Sequence, residues 1–164
     1  MRLLLAAALL AATPATAHVT LDREEAPAGS YVRLAIRVPH GCEGAATTGI
    51  RLDLPPGLGS VKPGVKPGWI LALTPGEPGP TPAGEAPHGP APRAVAWRGG
   101  PLPDAFYDEF LLMIRTPATP GATLALPIVQ DCEGGATARW TERPQPGQPR
   151  PRFPAPLLRL TPRP

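Results

Sequence analysis

Beyond its first dozen residues the chain has no long apolar run, and it is poor in the residues on which most site chemistry depends. Aromatics make up 5% of the 164 residues, and there are three histidines and two cysteines. Every hydrophobic stretch after Ala12 is interrupted by charge, Pro or Gly, so none approaches the roughly 20 apolar residues of a spanning helix. The formal net charge is only +3, with one of those charges on Arg2 and the rest scattered, which excludes the concentrated basic footprint of a nucleic-acid binder. Cys-x-x-Cys, His-Glu-x-x-His and Gly-x-Ser-x-Gly are missing, as is a Gly-rich loop opening a helix, which removes the usual zinc, serine-nucleophile and phosphate signatures. The acid pairs Glu24-Glu25 and Asp108-Glu109 are adjacent, and neighbours on a strand point to opposite faces, so neither pair suits two-carboxylate catalysis.

What is abundant is proline (27) and glycine (18). They concentrate at 75–92 and 144–156 and leave clean alternating segments between. Tyr31–Val38 puts Val32, Leu34, Ile36 and Val38 on one face. Ile50–Leu54 alternates likewise and stops at Pro55-Pro56-Gly57. Trp69–Leu73 and Ala94–Trp97 are short apolar runs bounded by Pro or Gly. Phe106–Arg115 sets Phe106, Phe110, Leu112 and Ile114 against Tyr107, Glu109, Leu111 and Met113, while Leu124, Leu126 and Ile128 alternate again and Ala136–Glu142 surrounds Trp140. Period two throughout, with a turn signal after each run, predicts an all-β fold, an antiparallel β-sandwich. Trp69 and Trp97 are assigned to its core.

The N-terminus reads as an export signal: Met1-Arg2 is a basic start, Leu3–Ala12 an apolar run, and Ala15-Thr16-Ala17 a small-x-small cleavage site. Three regions follow: a signal peptide at 1–17, a β-sandwich domain at 18–142 and a Pro-rich tail at 143–164. The product is expected to be exported, periplasmic or extracellular, without stable membrane insertion after cleavage. In that compartment the pair Cys42 and Cys132 reads as one disulfide.

Cleavage after Ala17 would give His18 a free α-amine beside its imidazole. Both nitrogen types release a proton at modest cost near neutrality, and together they can chelate one metal ion. Nitrogen and oxygen donors in a tetragonal plane favour Cu(II).

The segments His18-Val19-Thr20-Leu21, Glu25 to Tyr31, Arg37 to Cys42, Lys66 to Trp69, Trp97 to Gly100, Tyr107 to Phe110 and Gln130-Asp131-Cys132, followed by Trp140, occur in an order that resembles the YcnI-like family of exported copper-binding proteins. The resemblance spans His18 to Glu142. It implies an immunoglobulin- or fibronectin-like sandwich that binds one Cu(II) through a monohistidine brace: the N-terminal amine and imidazole, a carboxylate and a nearby tryptophan. Carried over by position, His18 is the brace, Glu25 the first carboxylate candidate, Glu109 the second, and Trp140 the aromatic near the metal. The chain departs from the family in having Arg139 before Trp140, where some relatives have an acid, and, where members with a membrane anchor have an apolar C-terminal helix, its Arg143 to Pro164 is too polar and Pro-rich to span.

The implied function is copper homeostasis or delivery to other copper-handling proteins, without enzymatic activity and without nucleic-acid partners. Two alternatives stand beside it. A copper-dependent oxygenase of the polysaccharide monooxygenase type would need a second histidine on the metal and a flat aromatic surface. A metal-free structural β-sandwich would tolerate any residue at position 18.

Overall fold

A computed structural model describes residues 18–77, 91–145, 147–149 and 151–163. The expected signal at 1–17, His88 and most of the 75–92 segment lie outside the described residues.

The strands are β1 (Thr20–Leu21), β2 (Glu25–Pro27), β3 (Tyr31–Val38), β4 (Thr47–Asp53), β5 (Val61–Pro63), β6 (Trp69–Thr74), β7 (Ala94–Leu102), β8 (Asp108–Arg115), β9 (Thr123–Ala125), β10 (Ile128–Cys132), β11 (Thr137–Trp140) and β12 (Leu157–Thr161). A single 3-10 turn, Glu133–Gly135, separates β10 from β11. Two antiparallel sheets, in strand order β1-β3-β8-β5 and β11-β10-β4-β7-β6, carry most of the core, and a third of order β2-β12-β9 joins the two ends of the chain. The fold is an antiparallel, immunoglobulin-like β-sandwich, as the two-residue period requires.

The inward rows are the ones the alternation predicts. Val32, Leu34, Ile36 and Val38 of β3 and Phe110, Leu112 and Ile114 of β8 are buried, and they belong to one core cluster with Ile50 and Leu52 of β4 and Val95 and Trp97 of β7. The rings of Trp97 and Phe110 lie 5.5 Å apart and those of Trp69 and Phe110 4.9 Å apart, tying one sheet to the other through aromatic contact. Trp97 is fully buried, its Nε1 donating to the Gly64 carbonyl at 3.0 Å, and Trp69 packs half-buried at the margin.

Three expectations change. Phe106 is 63% exposed, because β8 begins only at Asp108 and Phe106 belongs to the preceding turn. Leu124, Leu126 and Ile128 are all buried but do not share a strand: β9 pairs with β12 and β10 with β4, and Pro127, which has no N–H for a ladder, lies at the crossing between the two sheets. The core also does not stop at residue 142. Leu158 and Leu160 of β12 are buried, with β12 running parallel to β2 and antiparallel to β9. Leu157 to Leu160, which the sequence offers as a segment docking back after the Pro-rich stretch, do so as a strand, because two alternating leucines next to the open edges of β2 and β9 bury more apolar surface than a solvated tail would. Leu158→Ala should therefore lower stability by about 2 to 5 kcal/mol, read as a fall in the urea midpoint at unchanged m value. A change near zero would return residues 157–161 to the status of a tail.

Cys42 and Cys132 form a disulfide, their Cα atoms 6.0 Å apart. The loop that carries Cys42 is tight: Cys42 and Ala45 exchange backbone hydrogen bonds at 3.0 Å, and a Cβ at Gly41 would collide with the Ala45 carbonyl. Glycine is required there by close approach.

Candidate metal site

His18 stands just before β1, whose Thr20 and Leu21 pair with Arg37 and Ile36 of β3. Val19 is inserted into the core, which fixes the start of the chain's described part, and the half-buried His18 lies beside Trp140 of β11. The imidazole and indole centroids are 5.6 Å apart at an interplanar angle of 61°, an edge-on contact. Phe153 approaches Trp140 as well, at 5.2 Å and 74°. The indole is thus held between an apolar ring and the histidine.

His18 opens into a cleft of about 470 Å³, whose lining includes Arg23, Glu24, Glu25, Leu157 and Arg159. The cleft exists because β2 and β12 lie side by side, with Arg159 in register with Glu25 and its N–H donating to the Glu24 carbonyl at 2.8 Å. The Arg159 guanidinium donates to the Glu25 carboxylate across this strand pair, both side chains being exposed. The Glu24 carboxylate has no hydrogen bond or ion pair among the described residues.

Of the four residues carried over from the family pattern, the structure brings three together: His18 and Trp140 in direct contact, and Glu25 in the same cleft as His18. Glu109 is placed elsewhere. It sits on β8, on the outer face of the β1-β3-β8-β5 sheet, in register with Arg37, which donates to it at 2.9 Å, with Arg33 3.6 Å away. Lys66 bonds its backbone carbonyl at 3.1 Å and pairs with Asp108 at 2.7 Å. Glu109 is not among the residues lining the His18 cleft.

Among the described residues there is no group of three or more His, Cys, Asp or Glu side chains placed to hold a metal ion. A brace does not require one, since a single residue supplies two of its donors. Nitrogen donors from His18 with a carboxylate oxygen in the same cleft match the ligand chemistry of Cu(II), so the residues present fit the ion.

Reasoning from the sequence missed Glu24, Phe153 and Gln130. Only Gln130 left a usable signal: on the inward row Ile128, Gln130, Cys132 it is a polar side chain where an apolar one is expected.

An immunoglobulin-like sandwich with a histidine of the chain's leading segment set against a buried tryptophan is the class that fold and site define. The family described as Domain of unknown function (DUF1775) matches residues 18–160, and the chain belongs to that family, the domain of the YcnI-like proteins. A crystal structure of an uncharacterized protein from Nocardia farcinica, reported to reveal an immunoglobulin-like fold, is 27% identical at a TM-score of 0.69, covering 88% of this chain and 98% of that one. A non-cellulosomal cohesin from the archaeon Archaeoglobus fulgidus aligns at 9% identity and a TM-score of 0.46, over 88% of this chain and 90% of that one. No curated protein matches.

No helix among the described residues is long and apolar enough to cross a membrane. The Cys42–Cys132 disulfide is consistent with export.

Proposed function

We propose that this protein is an exported Cu(II)-binding protein, periplasmic or extracellular, that acts in copper homeostasis or delivers copper to other copper-handling proteins. The observation that carries the reading is the position of His18, packed against Trp140 and sharing a cleft with Glu25, in a chain of the family its motifs resemble. After removal of residues 1–17, the His18 amine and imidazole would supply two nitrogen donors and Glu25 a carboxylate. Arg159 holds that carboxylate in the metal-free protein and would release it on binding. Trp140 packs edge-on against the imidazole and fixes the surroundings of that ring.

The role of these residues is to hold an ion, not to turn over a substrate. His18 is the one histidine lining the cleft, and His40 lies away from that lining, with Nδ1 2.6 Å from the Gly41 carbonyl. Among the described residues no second imidazole, which the oxygenase alternative needs, converges there. Metal analysis and Cu(II) spin resonance on protein with a verified His18 N-terminus test the reading: one copper per chain with nitrogen hyperfine structure is expected, and no binding would favour the metal-free sandwich.

The two carboxylate candidates separate in the same experiment. Glu25→Gln should weaken Cu(II) binding about 10-fold or more, a loss on the scale of a charge-assisted contact, while Glu109→Gln, which alters a surface ion pair with Arg33 and Arg37, should leave affinity unchanged. Calorimetric titration at one pH and buffer reads both. The opposite ranking would move the oxygen donor to Glu109.

A further inference from the structure

We propose that Gln130 is a positioning residue for the His18 site, acting through Trp140: its side-chain amide locks the indole in the orientation against which His18 packs. The consequence for copper rests on the Cu(II) reading above; the orientation itself does not.

Gln130 is fully buried on β10, between Ile128 and Cys132 on the inward row. Its polar atoms are all engaged. Nε2 donates to the His40 carbonyl and to Thr47 Oγ1, each at 2.8 Å, and Oε1 accepts from Trp140 Nε1 at 3.1 Å. The polarity of this arrangement has one solution. A carbonyl can only accept, so the amide NH2 must face His40, and an indole N–H can only donate, so the amide oxygen must face Trp140. Turning the amide over would set oxygen against oxygen at His40 and N–H against N–H at Trp140.

The anchor behind Gln130 is rigid. His40 belongs to the short loop that Cys42 staples to Cys132, and Cys132 lies two residues beyond Gln130 on the same row. Thr47 opens β4, which pairs with β10 at Cys132. A line therefore runs from the His40–Cys42 loop held by the disulfide, through the amide to the indole, and ends at the His18 imidazole. A methionine at position 130 would fill nearly the same volume yet leave the buried indole N–H without an acceptor, so what Gln130 contributes beyond space is direction.

The experiment uses protein beginning at His18, in wild-type form and as Gln130→Met, Trp140→Phe and the double variant, with nuclear magnetic resonance of the metal-free proteins and calorimetric titration of CuCl2. In the metal-free wild type the Trp140 indole N–H, assigned by its loss in Trp140→Phe, should resist hydrogen exchange, and Gln130→Met should both expose it and move the His18 ring-proton shifts. Copper affinity should fall about 10- to 100-fold in Gln130→Met, the range found when the outer partner of a ligand is removed. Adding Gln130→Met to Trp140→Phe should cost no further affinity, because the residue through which Gln130 acts is already altered.

Unchanged His18 shifts in Gln130→Met, or an equal loss of copper affinity with and without Trp140, would overturn the proposal. If Gln130→Met fails to fold, the wild-type exchange measurement decides: an indole N–H of Trp140 that exchanges as fast as a solvent-exposed one overturns it. Wild-type protein that binds no copper would sink the Cu(II) reading instead, and the metal-free shifts and exchange would still decide the role of Gln130.

Discussion

Protein that begins at His18 is expected to bind one Cu(II), and the same protein carrying one extra residue before His18 is expected to bind it at least about 100-fold more weakly, the scale of what is lost when two linked donors no longer act together. The extension converts the α-amine into an amide nitrogen, which keeps its proton and is a poor neutral donor. Imidazole Nδ1 then loses its chelate partner, although the side chain itself is unchanged. Nothing else in the site needs to move: Val19 remains in the core and Trp140 remains beside the ring. The comparison isolates one atom, which mutation of the histidine cannot do. His18→Ala removes the imidazole and should be at least as damaging. Equal affinity of extended and native protein would refute the brace and bring the metal-free sandwich forward.

Removal of the disulfide should have the largest effect on stability. Cys42 and Cys132 are 90 residues apart in sequence, and opening a loop of that length restores chain entropy to the unfolded state worth roughly 4 to 5 kcal/mol in the loop-closure account. The paired Cys42→Ala and Cys132→Ala variant should lose about that much unfolding free energy in urea. Free-thiol titration of the unreduced, unfolded wild type should find no reactive thiol. A loss under about 1 kcal/mol would mean that the unfolded chain is already compact enough to gain little from the cross-link.

Much of the fold was legible because its central strands obey a two-residue period. Tyr31–Val38 and the Phe110, Leu112, Ile114 row could be assigned to faces directly, and Trp97 reached the core as expected. What escaped was set by neighbours distant in sequence. β2 and β5 have three residues each, too few to show a period, and they exist because a partner strand offers an open edge. Phe106 was misplaced because alternation gives no warning of where a turn ends. At the site, His18 was visible through its place after a cleavage motif and Trp140 through the resemblance. Glu25 stood ahead of Glu109 only by its place in the segment after His18, whereas their physical difference is one of partners: a shared cleft and a single cross-strand arginine for Glu25, two arginines on an outer face for Glu109. Gln130 was an anomaly in an apolar row, and its three bonding partners lie 10, 83 and 90 positions away.

The parallel pairing of β2 with β12 also has a meaning in time. The cleft draws His18 and Glu25 from the first part of the domain and Leu157 and Arg159 from the last. A chain made from its leading end presents the histidine early and waits for nearly all the remaining residues before Arg159 can reach Glu25 and the wall of the cleft can close. The cleft is thereby withheld from any fragment, stalled chain or truncated product that lacks β12.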